Sequence, residues 1–191
     1  MKTPLFKQLA ALALCACAVL PARADLLSPN MDSKDAIGFV NSLETKDGIS
    51  AQFWMTTDEE IFSTYSRSGA IRGLKPTVKV KRNTPIYLAL FMANPGVRSV
   101  TLAREQTVLS SDVTFDLYII NPAGVLSLAN KQRAGWKGTP PTPGLVTLAK
   151  DRGVLNFEAI DPLGEYAVVV ILHDNVRKSD MKLMRKLELV E

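Results

Sequence analysis

The sequence predicts an all-β fold, an antiparallel sandwich carrying one short helix. Three observations lead there. Apolar and polar residues alternate over several short runs, which puts one face of each run in a core. Turn residues of the Asp-Gly, Asn-Pro and Pro-Gly kind separate the runs. No strand-helix-strand alternation is present, so about eight to ten short strands must pack as sheets on one another.

Taken in order, Ile37 to Leu43 and Ile49 to Thr56 flank Lys46-Asp47-Gly48 and read as a hairpin. Thr57, with Asp58, Glu59 and Glu60 after it, forms a capping box, and acids at that end suit the helix dipole. The pattern predicts a short helix near residues 58–66. Thr77 to Lys81 alternates apolar and cationic residues, as a half-exposed strand does, and its lysines discourage edge-to-edge pairing. Ile86 to Ala93 is continuously apolar and suits a buried strand, closed by Asn94-Pro95-Gly96.

Val113, Phe115, Leu117 and Ile119 share one face of the next strand. Asn121 to Gly124 turns the chain into a strand over Val125 to Ala129. In Gly153 to Ile160, Leu155, Phe157 and Ala159 face one way. Glu165 to His173, apolar on both faces, reads as a central strand. Met181 to Val190 fits a strand if Arg185 is tolerated on its apolar face, and fits a helical stripe almost as well; strand is preferred because the preceding strand needs a neighbour. Gly138 to Gly144 contains Pro140, Pro141 and Pro143, so it is a stiff surface loop of polyproline character.

The first 24 residues have the layout of a secretory signal peptide: Lys2 and Lys7, an apolar run from Leu9 to Leu20, then Ala22-Arg23-Ala24. Cleavage after Ala24 leaves one domain over residues 25–191, and the apolar run is too short for a lasting membrane span. Residues 25–76 then form a hairpin-plus-helix extension to a core over residues 77–191. The expected location is periplasmic or secreted. Leu14-Cys15-Ala16-Cys17 also loosely resembles a lipobox, which would make Cys17 a lipid anchor.

Removing the signal removes both cysteines, so the mature chain folds without disulfides. It also removes Lys2, Lys7 and Arg23 and no acid, which leaves 20 basic against 19 acidic residues. The overall charge of +4 is therefore poor support for nucleic-acid binding. Charge is still uneven along the chain: Asp25 to Glu60 is acidic, and Ile61 to Arg104 holds eight bases and no acid. Mutual neutralisation of neighbouring segments is the plainer explanation, and an interaction face the alternative.

Asp161-Pro162-Leu163-Gly164-Glu165-Tyr166, followed by an alternating strand, resembles the corner of immunoglobulin and fibronectin type III domains. The resemblance implies an immunoglobulin-like β-sandwich of the bacterial kind, with Tyr166 as the corner tyrosine and Asp161 and Gly164 as structural residues. Asp161 lies five residues before Tyr166, one farther than in antibody-type domains, and Val168 stands where those have a cysteine. The overall layout is similar to small exported proteins of Gram-negative bacteria to which no activity attaches.

Chemistry-bearing residues are few. His173, the sole histidine, precedes Asp174, and such a pair could serve a hydrolase; no Gly-x-Ser-x-Gly elbow accompanies it. One histidine and no cysteine do not make a zinc or copper site, and no calcium loop motif is present. No phosphate-binding glycine motif occurs, and no cofactor is implied. Trp136 and Lys137 immediately precede the proline-rich loop, with Lys131 and Arg133 upstream. A tryptophan beside a stiff loop suits an interface anchor, because the loop loses little entropy on binding. Equally, Trp136 could fold back and cap the sandwich. Trp54, within Phe53-Trp54-Met55, reads as core.

The expectation is a non-catalytic exported domain that binds a protein or polymer of the cell envelope. The proposed contacts are Trp136, Lys137, Pro140, Pro141, Pro143, Lys131 and Arg133. The alternatives are a hydrolase using His173 and Asp174, and an envelope assembly chaperone.

Overall fold

The structure, a computed structural model, describes residues 43–68, 76–103 and 105–191. The signal segment, Cys17 and most of the expected arm Ile37 to Leu43 lie outside the described residues.

The hairpin forms at Asp47-Gly48, where both residues take positive φ, 49° and 85°. That conformation matches the right-handed twist of the flanking strands. It joins β1 (Glu44–Lys46) to β2 (Ile49–Thr56) with Lys46 opposite Ile49. β2 pairs antiparallel with β4 (Ile86–Ala93), and β4 pairs in turn with β8 (Thr147–Leu148) and β9 (Gly153–Leu155). These strands are the first sheet.

The second sheet runs β3 (Lys79–Lys81), β11 (Ser179–Val190), β10 (Gly164–Asp174), β6 (Thr107–Ile120), with β5 (Arg98–Thr101) and β7 (Leu126–Gly138) also paired to β6. Every pairing is antiparallel except β3 with β11, which is parallel.

The two sheets face each other as a β-sandwich. Their inner faces interdigitate Phe53, Leu88, Phe115, Val170, Leu172 and Leu183 in one core. β10 lies between β6 and β11, the central place its two apolar faces predict. β2 does not lie outside this core. Ile49, Phe53 and Met55 are buried within it, so the hairpin is an integral part of the first sheet rather than an extension.

α1 (Glu60–Ser68) lies against the outer face of the first sheet. Its Ile61, Phe62 and Tyr65 pack with Ala89, Phe91, Ala93 and Leu148 in a second apolar cluster. Both faces of β4 are therefore covered, which explains its uninterrupted apolar run. Trp54 is half-buried in this outer cluster, edge-on to Phe91 at 6.5 Å. The cap differs from the expected Thr57 box. The Asp58 carboxylate accepts the Glu60 N–H at 2.9 Å, and the Thr56 hydroxyl accepts the Asp58 N–H at 3.1 Å. The helix begins two residues later than predicted for that reason.

Met181 to Val190 is a strand, with Arg185 on the core-facing side between Leu183 and Leu187. Its guanidinium lies 5.7 Å from the Phe53 ring centre and 3.6 Å from the Glu44 carboxylate, so a charged side chain stands in the apolar row. Two strands differ in length from expectation. β9 ends at Leu155, and although Phe157 is still buried, Ala159 is exposed. β7 runs to Gly138 instead of stopping near Ala129, so Lys131, Arg133, Trp136 and Lys137 stand on a strand and not in a loop.

The second half of β7 shows no apolar alternation in the sequence because it is polar and bulged. Register shifts interrupt its pairing with β6, and Gln132 takes φ 51°. The Gln132 N–H at the irregularity is accepted by the buried Asp116 carboxylate at 2.7 Å. In the segment leading into β10, the Tyr166 hydroxyl donates to the Pro162 carbonyl at 2.8 Å and its ring lies 4.7 Å from Phe157. Asp161 accepts the Glu158 N–H at 2.6 Å, and Gly164 takes φ 131°, a conformation open to glycine.

Candidate functional site

The chain from Val146 to Arg152 bridges the two sheets. Ala149 N–H donates to the Leu90 carbonyl at 2.8 Å on the first sheet. Lys150 and Asp151 N–H donate to the Gly135 and Ala134 carbonyls, both at 2.9 Å, on β7. The Asp151 carboxylate accepts the Ala134 N–H at 2.8 Å in return. Where this bridge passes α1 it leaves an open cleft of about 770 Å³ lined by Phe62, Tyr65, Arg133, Leu148, Lys150 and Arg152, among others.

One wall is aromatic. Phe62 lies edge-on to Tyr87 at 6.3 Å, and the Arg152 guanidinium sits 5.5 Å from both ring centres. Glu59 anchors Arg152 at 2.8 Å and accepts the Tyr87 hydroxyl at 3.1 Å. Tyr65 accepts the Leu148 N–H at 3.2 Å on its hydroxyl oxygen; burial pushes its phenol above the ordinary tyrosine range, and that hydrogen bond opposes the shift.

The other wall is cationic. Arg133 Nε stands 3.5 Å from Asp151 Oδ2, outside hydrogen-bond geometry, and one Nη reaches toward the Arg152 carbonyl at 3.5 Å. Lys150 Nζ donates to the Lys137 carbonyl at 2.6 Å and lies 5.5 Å from the Trp136 ring centre. The lining thus sets flat apolar faces beside cations held by main-chain and carboxylate partners.

The expected contact residues divide around this cleft. Arg133 lines it, and Lys137 contributes a carbonyl to Lys150 at its margin. Trp136 folds back: its ring packs against the core, and its Nε1 donates to the Thr139 carbonyl at 2.8 Å. Of the two roles open to it, these are the contacts of a cap. Lys131 is exposed beside the β7 irregularity. Pro140 and Pro141 are half-buried and Pro143 exposed, in a loop pinned where Asn94 Oδ1 accepts the Gly144 N–H at 2.7 Å. The aromatic wall is illegible in the sequence because Phe62 and Tyr65 stand at helical spacing, the pattern of a helix face packed on a core. The basic run Lys150 to Arg152 carried no signal until folding set it against them.

His173 and Asp174 do not form a pair, since consecutive strand residues point to opposite faces. Asp174 is buried and accepts N–H groups from Gly96, Val176 and Arg177. His173 stands on the outer face, with Nδ1 2.7 Å from Asp180 and Nε2 3.5 Å from Asp116. Both ring nitrogens face carboxylates, which leaves neither directed at a serine or threonine. Among the described residues, no group of three or more histidine, cysteine, aspartate and glutamate side chains is placed to hold a metal ion. No described helix is long and apolar enough to cross a membrane.

No protein-family model matches the chain, and no curated protein sequence matches it. Among solved structures it is similar to a family 123 glycoside hydrolase from Clostridium perfringens, at 10% identity and a TM-score of 0.43, over 75% of this chain and 27% of that one. It is also similar to a Niemann-Pick type C2 protein from Japanese carpenter ant, at 6% identity and a TM-score of 0.40, over 73% of this chain and 89% of the other.

Proposed function

We propose that this protein is an exported, non-catalytic accessory domain of the bacterial cell envelope, periplasmic or secreted, that binds a polymer or protein partner in the cleft between α1 and the Val146 to Arg152 bridge. The signal-like residues 1–24 support the address. The corner hydrogen bond from Tyr166 to Pro162 supports kinship with bacterial immunoglobulin and fibronectin type III-like domains. The observation that carries the binding role is the cleft itself, where Phe62 and Tyr65 face Arg133, Lys150 and Arg152. A sandwich with such a recess is suited to holding a partner, and the lining contains no nucleophile paired with a base.

The test is co-sedimentation of the purified mature protein with isolated envelope material, compared with Arg152→Ala. Retention of the parent protein and loss of retention in a folded Arg152→Ala variant is the expected result. Equal retention of both, or cleavage of the envelope material that vanishes with His173→Ala, would overturn the reading.

A further inference from the structure

The two sheets differ in what lies over their outer faces. α1 covers the first sheet through Ile61, Phe62 and Tyr65. No described helix or strand lies over the second, although the centre of its outer face is apolar. The strand register gathers that apolar surface into rows. Leu128 on β7 pairs with Tyr118 on β6, Tyr118 with Val169 on β10, and Val169 with Met184 on β11. Paired positions share a face of the sheet. This row points outward, because the alternate residues Leu117, Val168, Val170 and Leu183 are in the core. Leu126, Ile120 and Ala167 make the adjoining row. Met184 is 48% exposed, Leu128 51% and Leu126 59%. Apolar residues grouped in this way, rather than scattered singly, mark a surface that another surface covers.

Charge narrows the choice of cover. The outer side of β3, β10, β11 and residues 113–120 of β6 carries four cations, Lys79, Lys81, Lys182 and Lys186. It also carries four acids, Asp116, Glu165, Asp180 and Glu188. Lys186 donates to Glu165 at 2.7 Å, and Lys79 pairs with Glu188 at 2.8 Å. A face of balanced sign has no net field to draw in an anionic membrane or a polyanion. It can meet a copy of itself without net repulsion.

We infer that this face is a dimer interface, on which a second copy of the chain packs sheet against sheet about a two-fold axis parallel to the strands. That axis lays β11 of each copy over β7 of the other. Met184 then meets Leu128 twice, Tyr118 meets Val169 twice, and the stem of Lys186 covers Leu126. An axis running across the strands would instead set Lys186 over Lys182, with like charges opposed. Four strands at about 4.8 Å and seven residues at about 3.4 Å span about 450 Å² per copy. Stable dimers bury about 800 Å² per copy, so this one is weak, half dissociated at a concentration on the order of 100 µM. Neither Leu128 nor Met184 lines the cleft, so the contact stands or falls apart from the binding role.

Sedimentation velocity of the mature protein over a range of concentrations tests the interface. A monomer–dimer equilibrium is expected, weakened about tenfold or more by Leu128→Lys and by Met184→Lys. Urea midpoints of dilute samples should not change, because both positions are exposed. A Leu128→Cys/Met184→Cys protein under mild oxidant gives a second reading, since the mature chain has no other cysteine. Within one copy these positions are three strand spacings apart, about 14 Å, which a disulfide does not span. A bond between them therefore joins two copies, and a covalent dimer is the expected product.

Monomers alone even at about 1 mM would overturn the inference. So would a dimer that both lysine variants leave intact, or a double-cysteine protein that stays monomeric under oxidant.

Discussion

The Gly96 N–H donates to the buried Asp174 carboxylate at 2.7 Å, and no other residue type fits at Gly96. A Cβ there would stand 2.5 Å from Asp174 Oδ1 and 2.9 Å from Oδ2, well inside van der Waals contact. The same carboxylate accepts the Val176 and Arg177 N–H groups and pairs with the Arg177 guanidinium at 3.0 Å. One side chain thus ties the turn after β4 to the turn between β10 and β11. Gly96→Ala should lower stability by about 2 kcal/mol or more through overpacking, and Asp174→Ala by about 3 kcal/mol through its orphaned donors. Urea unfolding midpoints measure both. If Asp174 instead served catalysis, these losses would be small and the effect would fall on activity.

Trp136 caps the core and donates to Thr139. Trp136→Ala should destabilise by about 1–3 kcal/mol, below the range for a fully buried tryptophan because the ring is only partly covered. Trp136→Phe should recover part of that loss. A Trp136→Ala protein as stable as the parent would show that the ring is not structural.

Arg185 is half-buried on the core-facing side of its strand, with its guanidinium by the Phe53 ring and near Glu44. Arg185→Met keeps the stem against Phe53 and should change stability by less than about 1 kcal/mol, since an exposed ion pair contributes little. Arg185→Asp places an unpaired short carboxylate in the apolar row and should unfold the protein at markedly lower urea. Equal effects of the two changes would mean the stem packing does not matter.

Alkali should destabilise the fold through Tyr65 and Tyr166. Burial raises both phenols above the ordinary value near 10, and Asp161 raises Tyr166 further while Arg82 opposes it. The folded state then holds protons that the unfolded chain releases, so stability is intact below pH 10 and falls as pH rises through the folded values. Urea midpoints between pH 8 and 11 should show the decline. Tyr166→Phe should lose about 1 kcal/mol at neutral pH from the bond to Pro162 and show a shallower alkaline slope. An unchanged slope in Tyr65→Phe and Tyr166→Phe together would assign the decline elsewhere.

Much of the fold is legible along the chain because alternation and turn chemistry are local. Asp47-Gly48 dictates a hairpin, and the Ile86 to Ala93 run announces a strand covered on both faces. The second half of β7 is illegible for an equally physical reason. Its irregular register is held by a carboxylate on the neighbouring strand, Asp116, which no local window around Gln132 contains.

The candidate site lies beyond local reading altogether. Phe62 and Tyr65 on α1, Arg133 on β7 and the Lys150 to Arg152 bridge are far apart in sequence, and each alone reads as core or solvated surface. Side-chain period and turn residues establish which positions face inward, and they follow from the backbone of a few consecutive residues. Which outward cations come to stand beside which aromatics depends on how the sheets stack and where the helix lies down. Those arrangements arise from burying apolar surface shared between distant segments, so only the assembled sandwich specifies the cleft and the separation of His173 from Asp174.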